Sequence, residues 1–209
     1  MELQQEVLRF WFPEDYQECD LETNKARATY WFRGGADGDI VTRFSKVTQD
    51  AAQGLYDDWQ QTAQGRLALI LVLDQFSRSV FRDSPQAYAQ DPKALELTLT
   101  GLANGHYEAL SSVWEKTFFL LPINHTEGSD LVERVENHLH FTDKLVEEAP
   151  EHLKPLFAFS AQQPREHLKV LRVFGRHPHR NAILGRTSTP EEEAYLAEGK
   201  LPHMRELKL

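Results

Sequence analysis

The run Arg66-Leu-Ala-Leu-Ile-Leu-Val-Leu-Asp-Gln-Phe-Ser-Arg78 decides the fold class of this chain. Leu67 to Leu73 are apolar without interruption, so a helix through them offers no polar stripe to water. A helix that is apolar around its whole girth belongs at the centre of a fold. The run predicts a central helix from Arg66 to Phe81, walled in by other helices. The apolar stretch is far shorter than the roughly 20 residues needed to cross a bilayer.

Helical spacing continues in both directions. Upstream, Ile40, Phe44, Val47, Ala51 and Leu55 recur at three- and four-residue intervals, one amphipathic stripe. Leu3, Val7, Leu8 and Trp11 share a face of a first helix that Pro13 stops. A second, Asn24 to Arg33, stops at Gly34-Gly35. Both end in aromatic triplets, Phe10-Trp-Phe12 and Tyr30-Trp-Phe32, which are expected to pack together. Downstream, Asp91-Pro-Lys opens a helix with Asp91 as cap. A short helix over Val113 to Leu121 is expected to end at Pro122.

Ser129-Asp130 starts a long helix with Leu131, Val135, Leu139, Thr142, Leu145 and Val146 inward. Pro155 to Phe174 reads as one or two helices interrupted near Pro164, and Thr189-Pro-Glu-Glu192 is a capping box that starts a last one. No stretch alternates as a strand must. The expectation is an all-α fold of roughly eight to ten helices. With no low-complexity linker and no break in composition, residues 1–209 read as a single all-α domain.

With 209 residues, 41% of them apolar, the chain can bury a full core. A net charge of −9 argues against general nucleic-acid binding, which needs a basic face. The lone Cys19 forms no internal disulfide, and its acidic neighbours make it a poor nucleophile. The first residues lack the basic start and apolar run of a secretory signal. A cytoplasmic protein with no membrane partner is the expectation.

Three polar constellations stand out. In the first, Asp74, Arg78 and Arg82 recur every four residues, beside Gln75. Asp74 follows the buried run and should be buried with Arg78 as partner, because an unpaired buried carboxylate costs several kcal/mol. Arg82, at the helix end, suits a ligand or a distant carboxylate. In the second, Leu121-Pro-Ile-Asn-His-Thr-Glu127, His125 and Glu127 fall in a connection, where they read equally as an acid–base pair or as a loop clasp.

The third, Val173-Phe-Gly-Arg-His-Pro-His-Arg-Asn-Ala-Ile-Leu-Gly-Arg186, is too rich in Gly and Pro for a helix interior and too polar for a core strand. Between Arg165 and Arg186 a string of Lys and Arg faces one acid, Glu166. Such a patch in an acidic chain attracts an anion or internal carboxylates. Arg176, Arg180 and Arg186 can clamp carboxylate or phosphate, with Asn181 as a neutral donor, and His179 is a further acid–base candidate. A metal is disfavoured, since no Cys or Asp lies near to complete a shell around the histidines. There is no phosphate-cradling glycine loop and no G-x-S-x-G elbow. No cofactor is implied.

Taken together, Arg66–Arg78, the Leu-Pro-x-x-His-Thr-Glu stretch ending at Glu127, and Phe174–Arg186 resemble the domain of unknown function 924 family. Val7-Leu-Arg-Phe-Trp-Phe12 and Tyr30-Trp-Phe32 fit its N-terminal pattern. The resemblance covers nearly the whole chain and implies an all-α, tetratricopeptide-like helical fold found mainly in bacteria. It implies no activity. This chain has Ser79 where the family pattern favours Asn, and His177 where it favours an aromatic. Neither is therefore expected to be catalytic.

Two functional classes follow, beside a purely structural reading of the polar motifs. One is a pocket for a small anionic ligand, possible ground for an enzyme, with His125, Glu127 and His179 as catalytic candidates and Asp74, Gln75, Arg78, Arg82, Arg176, Arg180, Asn181 and Arg186 holding the ligand. The other is a helical module that cradles a peptide, as tetratricopeptide-like arrays do. Against it, the chain shows no 34-residue self-similarity. The pocket reading expects the three constellations to converge on one cavity.

Overall fold

The computed structural model describes residues 2–13, 16 and 18–205. Among them are nine α-helices and no strand. Helix α1 is Leu3–Trp11, α2 Leu21–Phe32 and α3 Asp37–Ala52. The central helix, α4, runs over residues 63–80. It is followed by α5 (Asp91–Ala103), α6 (Val113–His125), α7 (Leu131–Glu148), α8 (Lys154–Phe174) and α9 (Pro190–Ala197).

Leu67 to Leu73 are fully buried, as an all-round apolar helix requires. Around them pack α1, α3, α5 and α6. The two aromatic triplets meet as expected: Trp11 stacks on Trp31 at 6.0 Å, and Trp31 meets Trp114 of α6 edge-on at 4.9 Å. Helix α4 is not α-helical throughout. Leu71–Phe76 forms a π-helical turn, in which the Ser77 N–H reaches back to the Val72 carbonyl. Such a turn accommodates one extra residue and often marks a functional position.

The structure corrects several expected boundaries. Leu55 lies beyond the end of α3 and is 58% exposed, because Gly54 turns the chain at φ 86°. Asp91 is not a cap but the first residue of α5, with its side chain buried in an ion-pair network. Two prolines expected to stop helices lie inside them: Pro122 in α6 and Pro164 in α8. An interior proline costs about 3 kcal/mol. In α6 nearly every flanking side chain is buried, and that burial outweighs the lost hydrogen bond. The last turn of α6 therefore carries His125, which the sequence places in a loop. The capping box at Thr189 and Glu192 forms as read.

The start of α4 yields a sharp prediction. Thr62 caps it by accepting from the Gly65 N–H at 3.1 Å. Helix propensity alone favours Gly65→Ala by about 1 kcal/mol. An added Cβ, however, would overlap the Trp59 carbonyl oxygen, a backbone atom that cannot swing aside. Overpacking of this kind costs about 1–3 kcal/mol. Gly65→Ala is expected to lower the urea midpoint; a raised midpoint would show that the α4 start relaxes freely.

Candidate functional site

The last carbonyls of any helix lack intrahelical partners. At the end of α6 they are taken by three side chains, one from α7 and two from the loop after α8. Arg134 of α7 donates through Nε to the Ile123 oxygen at 3.3 Å and through Nη2 to the Thr126 oxygen. The Asn124 oxygen accepts from His177 Nε2 at 3.0 Å, and the His125 oxygen from Arg180 Nη1 at 2.7 Å. The polar loop after α8 thus meets the α6 terminus. Its Gly175 closes α8 in the left-handed region at φ 67°, and Pro178–Arg180 forms a single tight turn.

The capped end aims the His125 ring at Asp74. Nδ1 lies 2.8 and 3.0 Å from the two carboxylate oxygens of Asp74, which is fully buried on the π turn of α4. A carboxylate there fixes the proton on Nδ1 and leaves Nε2 as the acceptor of the neutral ring. Among the described residues Nε2 has no hydrogen-bond partner, and the side chain keeps 29% exposure. Burial pushes the Asp74 carboxyl up. His125 and the Arg78 guanidinium beside it, with a hydrogen bond from Gln75, outweigh it and hold Asp74 at about 2.

Behind this dyad lies an internal ion network. Arg78 Nη2 sits 3.4 Å from Asp74 and 2.7 Å from Asp91, and Arg180 Nη1 is 3.2 Å from the other Asp91 oxygen. Both guanidiniums lie over the Tyr88 ring, at 4.6 and 4.5 Å. Burial lifts the Asp91 carboxyl above its ordinary range despite Arg78 beside it.

The other candidates join this frame or leave it. Glu127 is a clasp: it accepts from the His177 N–H at 2.7 Å and pairs with Arg186, which also donates to the His177 oxygen at 3.2 Å. Arg176 grips Glu192 of α9 with two 2.7 Å bonds, and Asn181 adds a third at 3.1 Å. That grip holds the Glu192 carboxyl at about 2. Arg82 turns to Asp37 of α3, which also accepts from Ser79 at 2.6 Å. His179 lies between His177 and His203, its ring tilted against both, with centroids 5.4 and 4.5 Å away. Of the residues singled out by sequence, Asp74, Gln75, Arg78, His125 and Arg180 come together directly, and Glu127 and Arg186 join them through His177.

A cavity of about 230 Å³ opens on the exposed side of His125, between α2, α6, α7 and α8. Of all the sequence candidates only His125 lines it. Trp114, Leu121, Leu145 and Phe157 supply an apolar wall, with the rings of Trp114 and Phe157 4.7 Å apart. Arg33, Arg205, His167 and His203 supply the charged and titratable groups, and among the described residues no Asp or Glu lines the space. Arg33 donates to the backbone oxygens of His203, at 3.0 Å, and Arg205. Arg205 lies over the Phe159 ring at 5.0 Å, and its Nη1 is buried without a hydrogen-bond partner among the described residues.

These lining residues were missed because they carry no local motif. Arg33 closes an ordinary helix, and Arg205 follows the last recognised element; only folding brings them together. Among the described residues no group of three or more His, Cys, Asp or Glu is arranged to hold a metal ion, and no helix is long and apolar enough to cross a membrane.

The sequence profile of the family described as "Bacterial protein of unknown function (DUF924)" matches residues 7–200. A solved structure of a protein of unknown function from Agrobacterium tumefaciens is similar, with 32% sequence identity and a TM-score of 0.69. The likeness covers 94% of this chain and 98% of that one. No curated protein matches the chain.

Proposed function

We propose that this chain, which belongs to the DUF924 family, holds a small anionic molecule in the cavity beside His125 and moves a proton on it. The observation that carries this reading is the cavity's charge. In a chain of net −9, the lining among the described residues has two guanidiniums and no carboxylate. Arg78, Arg82, Arg176, Arg180 and Arg186 each have a carboxylate partner. Arg33 and Arg205 have none among the described residues; their partners are neutral oxygens and a ring. A cation facing an apolar, partly shielded space attracts an anion far more strongly than one in bulk water.

The proton-transfer part rests on His125. An imidazole oriented by a buried carboxylate through Nδ1, with Nε2 free to accept, is the arrangement of a general base. The Arg78–Asp91–Arg180 network behind it has no contact with the cavity and serves to position the α6 end.

A thermal-shift titration with small carboxylates and phosphates tests the binding. An anion at 100 times its dissociation constant adds about 2.7 kcal/mol, a rise of roughly 5–11 °C for a chain of this size. Arg33→Gln should remove the rise. His125→Gln should keep it, while slowing turnover of the bound anion by roughly 10²–10⁴-fold. If no small anion raises the melting temperature, the reading fails.

A further inference from the structure

We infer that the occupant of this cavity is a monocarboxylate with an apolar body, its head against Arg33 and Arg205 and its body along the Trp114–Phe157 wall. The inference rests on the anion-binding reading above and specifies the rest of the molecule.

Three features converge on this chemistry. The first is size: about 230 Å³ lies below the roughly 300–1,000 Å³ of pockets that take drug-sized ligands, so the occupant is small. The second is the wall. Trp114, Leu121, Leu145, Leu156 and Phe157 offer no polar side-chain group except the indole N–H, which is already bound to Asn24 Oδ1 at 2.9 Å. The hydroxyls of Thr29, Thr117 and Thr142 on the lining already donate to helix carbonyls, so a phosphorylated sugar would find only Asn124, Ser160 and Gln163 for its several hydroxyls and leave those on the apolar wall without partners. A dicarboxylate would bring its second charge against the same wall.

The third feature is the head group. A guanidinium presents a planar fork that matches a carboxylate edge to edge. Arg205 keeps a buried Nη1 with no hydrogen-bond partner among the described residues, a donor already withdrawn from water. Arg33 ties the backbone of His203 and Arg205 to the end of α2, so both arginines border the same space.

The test titrates the full chain, by calorimetry, with octanoate, octanol, octylamine and inorganic phosphate. The expected result is that octanoate binds, octanol binds about tenfold more weakly, and octylamine and phosphate do not bind. Arg205→Gln should erase the preference for octanoate over octanol while leaving the octanol affinity unchanged. Ser160→Phe, which fills the cavity from α8, should abolish octanoate binding with the melting temperature retained. If phosphate or acetate binds as tightly as octanoate, the apolar body is wrong and the anion pocket stands. If octanol matches octanoate, or if nothing binds, both readings fall. Octanoate binding that survives Ser160→Phe places the ligand elsewhere and overturns the inference.

Discussion

Lowering the pH from 7 towards 4 should unfold this protein well before its paired carboxylates titrate. Burial pushes His167 down to about 3 and His179 to about 2, reinforced by the positive charge of Arg180 and by neighbouring imidazoles. His177, 3% exposed, is pushed down by burial and then by Arg180. In the unfolded chain each returns to an ordinary histidine near 6.5. A folded-state value below the unfolded one means that unfolding takes up protons. The stability contributed by neutral rings is fully present above about pH 6.5 and is lost as the pH falls towards the folded values.

With about three protons taken up, the loss is on the order of 4 kcal/mol per pH unit below about pH 6. By pH 4 that equals much of the stability of a typical domain. Asp74 and Glu192, both held at about 2, add to the loss only below about pH 4, the ordinary carboxylate range. Urea midpoints at pH 7, 6 and 5 measure the slope directly, and His167→Gln should reduce it by about one proton. Equal midpoints from pH 7 to 5 would show that these rings are solvated.

Arg180→Met should destabilise the protein by about 3–5 kcal/mol, the usual cost of removing one partner of a buried pair. The guanidinium is 5% exposed, pairs with Asp91 and caps the His125 carbonyl. Without it, Asp91 keeps only Arg78, and the last turn of α6 loses a cap. The melting temperature should fall by roughly 6–20 °C. Adding Asp91→Asn should recover part of the loss, because the stranded charge is then gone. Arg205→Gln should show the opposite profile, with stability kept and octanoate binding weakened about tenfold to the level of octanol. A melting temperature unchanged in Arg180→Met would remove Arg180 from the framework and return it to the ligand candidates.

The central helix and its partners were readable because burial leaves a periodic signature, and Leu67 to Leu73 carry the strongest form of it. Boundaries were less readable where local and tertiary preferences conflict. Pro122 and Pro164 signal helix ends locally, and only packing partners absent from the local sequence keep those helices intact. Asp74 and His125 were legible as chemistry. Asp74 had to find partners, and the sequence named one of them, Arg78, but not the histidine on α6. The loop arginines were legible as charge and not as destination. An arginine reads alike whether it meets a ligand or an internal acid, and Glu192, Asp91 and Glu127 lie 16, 89 and 59 residues from the arginines they hold.

The π turn at Leu71–Phe76 gives α4 one place where its length can change. A residue added to or removed from an α-helix turns everything beyond it by about 100° around the axis, unless a wide turn takes up the difference. Removing a residue in the α-helical stretch before the turn would swing Arg78 from Asp91, and Ser79 from Asp37, in one step. Removing one residue within 71–76 would instead close the wide turn to an ordinary α-helix, with Ser77 still bonded to Val72 and both clasps nearly in register. Descendants of this chain can therefore shed a codon here and not in the stretch before it.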